Sequence, residues 1–131
     1  MSHRGTFEFK NREYTLLDFS YSFQRRIDHN GRPASEPSVG QFYVTVESAG
    51  NSDLAAWAMF SSTPESGVIV LKKRDQESTF LRYTFRDAYC IEFEERFNAN
   101  SAESMQIRMF ISANEIEIEP GGVWHSNLWS S

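Results

Sequence analysis

Glu92, Glu94 and Glu95 fall close together in Tyr89-Cys90-Ile91-Glu92-Phe93-Glu94-Glu95-Arg96-Phe97 and invite a carboxylate-pair reading, since glycoside hydrolysis needs one acid and one base or nucleophile. Spacing argues against it. On a strand, Glu92 and Glu94 project to the same solvent face with no evident cleft, so they read as a solvated or interface face. Cations for them on a neighbouring strand or subunit are Lys72, Lys73, Arg74 and Arg82. His3, His29 and His125 are scattered and lack the short spacing that preforms a metal site. Cys90 sits in an apolar strand pattern with no base beside it, which describes a small buried hydrophobe and not a nucleophile. There is no Gly-x-Ser-x-Gly elbow and no phosphate-cradling Gly-rich loop. No catalytic, cofactor-binding or metal-ligating residue is therefore assigned, and no cofactor is expected.

What remains are residues suited to contact. Asp28-His29-Asn30-Gly31-Arg32-Pro33-Ala34-Ser35-Glu36-Pro37-Ser38 is a polar segment far longer than a tight hairpin needs, which points to a task outside the domain core. Trp57 reads as a core anchor on a helix. Trp124 and Trp129 lie in a terminal stretch with no regular pattern, where a large aromatic is held either by its own domain or by a neighbour.

The elements that carry these residues are mainly strands. Thr6–Lys10 and Glu13–Thr15 read as a hairpin turning at Asn11-Arg12, and Leu17, Phe19, Tyr21, Phe23 and Ile27 then share one face of a long strand. Phe42, Val44 and Val46 form the next. Ser52 or Asp53 caps a helix over Leu54–Phe60. Val68–Asp75 follows, then Thr79–Phe85 with Leu81, Tyr83 and Phe85 inward, and Tyr89–Phe97 with Tyr89, Ile91, Phe93 and Phe97 inward. Met105, Ile107, Met109 and Ile111 alternate before Ile116–Glu119. Seven or eight antiparallel strands and one helix predict a mainly β fold, a barrel-like domain over residues 1–131 with the helix at an opening or edge. Leu16, Tyr43, Ile69 and Phe110 interrupt the outer faces with apolar groups, as subunit contacts would.

The 131 residues suffice for one hydrophobic core, and the net charge of −5 comes without a Lys/Arg block, so nucleic-acid binding is not expected. No apolar run approaches a membrane span, and Met1–Thr6 leads into no signal-peptide core, so membrane insertion is not expected and synthesis is expected in the cytoplasm. One reading of such a chain is a monomeric barrel that binds a small molecule in its interior.

A second reading comes from a resemblance. Tyr21-Ser22-Phe23 with Arg25, Asp28-x-Asn30-Gly31-Arg32-Pro33-x-Ser35, Val46-Glu47-Ser48, Trp57, and Ser66-Gly67-x-Ile69 with Lys72-Lys73-Arg74-Asp75 occur in this order. So do Phe85-x-Asp87-Ala88-Tyr89, Phe93-x-Glu95-x-Phe97, Met105, Ile111-Ser112-Ala113 and His125-x-Asn127-x-Trp129. The series resembles the type VI secretion tube proteins of Bacteroidota, the haemolysin-coregulated or TssD family, over nearly the whole chain. His3-Arg4, Phe7-Glu8-Phe9 and the Asn98–Ser104 turn depart from the common pattern.

The resemblance implies a structural, non-enzymatic subunit that forms hexameric rings. The rings stack into a tube that a contractile sheath drives outward behind a spike and baseplate, with small effectors in the lumen. It further implies export to the extracellular space or a target cell. Asp28 to Ser35 would then reach the next ring, with Gly31 in a positive-φ turn and Arg32 as a charged contact.

Overall fold

The computed structural model describes residues 4–24, 38–60, 63–72, 79–100, 102, 105–120 and 123–126. Its strands are β1 (Arg4–Phe9), β2 (Arg12–Gln24), β3 (Ser38–Glu47), β4 (Glu65–Lys72), β5 (Thr79–Phe97), β6 (Met105–Glu119) and β7 (Val123–Ser126), with α1 (Asp53–Phe60) between β3 and β4. Neighbouring strands run in the order β3-β2-β1-β4-β5-β6, and β6 closes the barrel by pairing antiparallel with β3. β7 pairs with the later half of β6, Glu115 to Ile118, outside the closed ring of strands.

Local chemistry explains the joints. β1 and β2 are linked by Lys10 and Asn11 with φ of 52° and 65°, the paired left-handed conformations of a type I′ turn, whose twist matches the strands it joins. The turn therefore lies one residue before the expected Asn11-Arg12. Neither expected residue caps α1 with its side chain. Asn51 Oδ1 instead accepts the Asp53 N–H at 2.9 Å and the Tyr14 hydroxyl at 3.1 Å, while Asp53 pairs with Arg12 Nε at 2.9 Å. An Asn side chain bonded two residues on is an Asx turn, and here it also ties the helix start to β2.

The interior is packed with rings. Phe7, Phe9, Phe42, Phe85, Val44, Ile69, Ile107, Met109 and Ile111 are buried. Phe7 stacks on Phe85 with centroids 5.9 Å apart, Phe42 meets Phe85 at 5.3 Å, and Trp57 of α1 lies 4.7 Å from Phe9. Trp57 is thus the expected core anchor. α1 lays Leu54 and Trp57 over one end of the barrel and leaves Met59 and Phe60 exposed.

Several expected faces are corrected, and in β2 and in β5 near Asp87 and Cys90 the cause is a register shift, which reverses which side chains point inward. A shift between Leu16 and Asp18 puts Leu16 against the core, as well as Phe19 and Tyr21, so Leu16 is no outward apolar group. Ile69 is wholly buried rather than outward. Thr79–Phe85 and Tyr89–Phe97 are one continuous strand, β5, bent at Asp87 (φ 54°) and shifted again between Cys90 and Glu92. Ala88 and Cys90 therefore follow Phe85 inward and Ile91 is exposed rather than inward, while Phe97 is exposed as the last residue of β5. Met105 is also exposed, and Met105–Ile111 and Ile116–Glu119 merge into β6.

The antiparallel order gives the barrel two unlike ends. At one, β1 turns into β2, β3 leads into α1, β4 begins, and β5 turns into β6; Ser48 N donates to Met105 O at 3.0 Å there. At the other lie Arg4 opposite Lys72, Lys72 opposite Thr79, Arg82 opposite Glu119, and the partners Gln24 and Ser38.

Candidate assembly surfaces

β5 positions most of the described charges expected at contacts. Arg82 faces Val70 and Glu119 near its start, while Glu92 and Glu94 face Phe110 and Arg108 towards its finish. Lys72 belongs with Arg82, at the end away from α1. Arg82 and Glu92 stand on opposite halves of β5, and no ion pair joins the two groups among the described residues.

Ion pairing divides the charges further. Lys10 pairs with Glu65 at 3.3 Å, Arg12 with Asp53 at 2.9 Å, and Arg86 with Glu115 and Glu117 at 3.7 and 3.4 Å. Lys72, Arg82, Glu92, Glu94 and Glu95 make no ion pair among the described residues. Arg108, directly across from Glu94, turns instead to Tyr43, with its guanidinium carbon 5.1 Å from the ring centroid. Tyr43 and Phe110 pack together on the outer sheet face at 4.6 Å, so these two of the four expected outward apolar residues do face out.

The remaining expected site residues divide by what the structure describes. Asp28, His29, Asn30, Gly31, Arg32, Pro33, Ala34 and Ser35 lie outside the described residues, as do Lys73, Arg74 and Trp129. Trp124 stands opposite Glu117 in the β6–β7 register, and His125 opposite Ile116. Among the described residues no group of His, Cys, Asp and Glu is arranged to hold a metal ion. Cys90, expected as a small buried hydrophobe, packs against the core while only partly buried; burial pushes its thiol up to about 11, and its Sγ lies 3.2 Å from the Glu92 carbonyl oxygen. Sequence reasoning missed Met59 and Phe60, exposed at 69% and 81%. The available signal was an α1 sequence that is apolar on every side after Asp53, more than one packed face can use.

A closed antiparallel barrel with a helix across one mouth is the fold of tube proteins from contractile secretion and injection systems. The chain aligns with Hcp1 from Flavobacterium johnsoniae at 27% identity over 95% of this chain and 99% of that one, with a TM-score of 0.85. It shares its fold with Hcp1 from Salmonella typhimurium (13% identity, 95% and 93% covered, TM-score 0.73). The fold also matches a chain of the PVC sheath-tube complex of an extracellular contractile injection system (15% identity, 92% and 89% covered, TM-score 0.53). No curated protein sequence matches. The family model of the haemolysin-coregulated protein Hcp (TssD) matches residues 1–130, and the chain belongs to that family. The family consists of structural tube proteins of type VI secretion, exported components and not enzymes. No helix among the described residues is long and apolar enough to cross a membrane.

Proposed function

We propose that this chain forms hexameric rings that stack into the inner tube of a type VI secretion system, which a contractile sheath expels with a spike and baseplate and which carries small effectors in its lumen. The family match over residues 1–130 is the observation that carries the reading. The molecule's two unlike ends support it, as do Lys72, Arg82, Glu92 and Glu94, which make no ion pair among the described residues. A closed ring joins different patches of adjacent copies, so each copy must carry complementary surfaces rather than one self-complementary face.

In this reading Asp28 to Ser35 reaches the adjoining ring, and Lys72, Lys73, Arg74 and Arg82 meet Glu92 and Glu94 between copies. Trp124 and Trp129 are further candidate contacts. The chain acts after export to the extracellular space or a target cell. The rival reading, a small-molecule barrel, needs open interior space, and the rings of Phe7, Phe19, Phe42 and Phe85 occupy it. Mass photometry of the purified chain tests the proposal. A dominant six-copy species is expected; a strictly monomeric protein contradicts it.

A further inference from the structure

The outer face of the β1–β2 hairpin is laid out in rungs. Phe7, Phe9 and Tyr14 point into the core, so Arg4, Thr6 and Glu8 of β1, with Glu13 and Thr15 of β2, point outward. The registers place Arg4 opposite Lys72 of β4, Thr6 opposite Thr15, and Glu8 opposite Glu13. A rung of two cations is thus followed by a rung of two hydroxyls and then by a rung of two carboxylates. Like charges directly opposite each other destabilise a sheet, whereas exchanging one residue between the outer rungs would turn both into ion pairs. The cations nearest the carboxylate rung do not relieve it. Lys10 pairs with Glu65 at 3.3 Å and Arg12 with Asp53 at 2.9 Å, and Lys72, Glu8 and Glu13 make no ion pair among the described residues. Two clefts run along this strip. One of about 440 Å³ is lined by Arg4, Lys72, Thr6 and Thr15, one of about 480 Å³ by Glu8 and the turn, and Glu13 lines both.

We propose that this strip binds an extended segment of a second protein in which an acidic and a basic residue stand four positions apart with a polar residue midway. The cationic and carboxylate rungs are four residues apart along β1, about 13 Å at roughly 3.3 Å per residue, and alternate side chains of an extended segment share a face at the same pitch. The segment's acid then meets Arg4 and Lys72, its polar residue the Thr6 and Thr15 hydroxyls, and its base Glu8 and Glu13. Opposite signs at the two ends of the strip decide against simpler partners. A polyanion such as nucleic acid is repelled by the carboxylate rung, a polycation by the cationic one, and a compact ion meets only one of them. A second copy of this chain is the rival occupant, because Glu92 and Arg96 stand four apart and exposed on β5. The free segment is favoured over it, since two barrel walls are both convex across their strands and touch along a narrow line, whereas a single strand settles into the clefts. The inference stands apart from the tube reading and does not need rings to form.

Fluorescence anisotropy of labelled seven-residue peptides on the purified full-length chain tests it. One peptide carries glutamate and lysine four positions apart with threonine midway; the other has the same composition with the two charges adjacent. The spaced peptide is expected to bind about fivefold tighter, the worth of one exposed ion pair, and to weaken as salt rises. Equal binding by the two peptides, or none by either, overturns the proposal. The double variant Glu8→Lys with Glu13→Lys is expected to keep its circular dichroism, to lose the spaced peptide and to gain one in which glutamate replaces the lysine. A variant that still prefers the original peptide overturns the proposal as well, and if the variant does not fold, the peptide comparison on the unaltered chain decides. Mass photometry of the same variant addresses the rival occupant. Assembly unchanged from that of the original chain is expected, and assembly lost with the two carboxylates gives the strip to a second copy and overturns the proposal. Failure of the tube reading looks different: no six-copy species forms, yet the spaced peptide still binds.

Discussion

At Gly67 the barrel wall has no room for a side chain. A Cβ there would stand 2.5 Å from the Phe85 ring and 2.8 Å from the Glu8 carbonyl oxygen, and the backbone oxygen cannot swing away. Gly67→Ala is therefore expected to lower unfolding free energy by about 2 kcal/mol through overpacking, read from urea denaturation. Cys90 makes a second residue-scale prediction. Its thiol is raised from 9.0 to about 11 by burial, so the folded state favours the neutral form more than the unfolded state does. Its stabilising contribution is complete below about pH 9 and is lost as pH rises through about 11. Tyr14 and Tyr21, both raised chiefly by burial, act in the same direction. Urea midpoints should fall across that window, and Cys90→Ala should flatten part of the fall; a midpoint rising with pH there would contradict the assignment.

β5 shows how far the elements could be read beforehand. Its strand character, the inward Phe85 and Phe93, and the outward Glu92 and Glu94 follow from alternation. The bend at Asp87 and the shift after Cys90 do not, because a bulge is set by where the barrel must curve and pair, and those constraints come from β4 and β6. Ile91 was misplaced for that reason and Leu16 by the equivalent shift in β2, while Phe97 is exposed because β5 ends there. The candidate contact residues were legible only as charged positions and a surplus loop; the exposed end of α1 emerges once Leu54 and Trp57 are seen to face the barrel. The segment joining β2 to β3 carries its own prediction. Replacing Asn30-Gly31-Arg32 with Gly-Ser residues should leave circular dichroism and single rings intact but reduce stacking, as counted in micrographs; equal stacking would make the segment a spacer.

For the whole molecule, unlike ends and a packed interior favour a building block over a container. Buried side chains around Phe7, Phe42 and Phe85 pack the interior, while the ion pairs among the described residues do not engage Lys72, Arg82, Glu92 or Glu94. Electrostatic contacts of that exposed kind weaken with salt, so assembly should be salt-sensitive even though the fold is not. Negative-stain electron microscopy of the purified full-length protein tests the central claim most directly. Six-fold rings, some stacked face to back, are the predicted result, and a field of isolated small particles with no rings at any concentration would contradict the account.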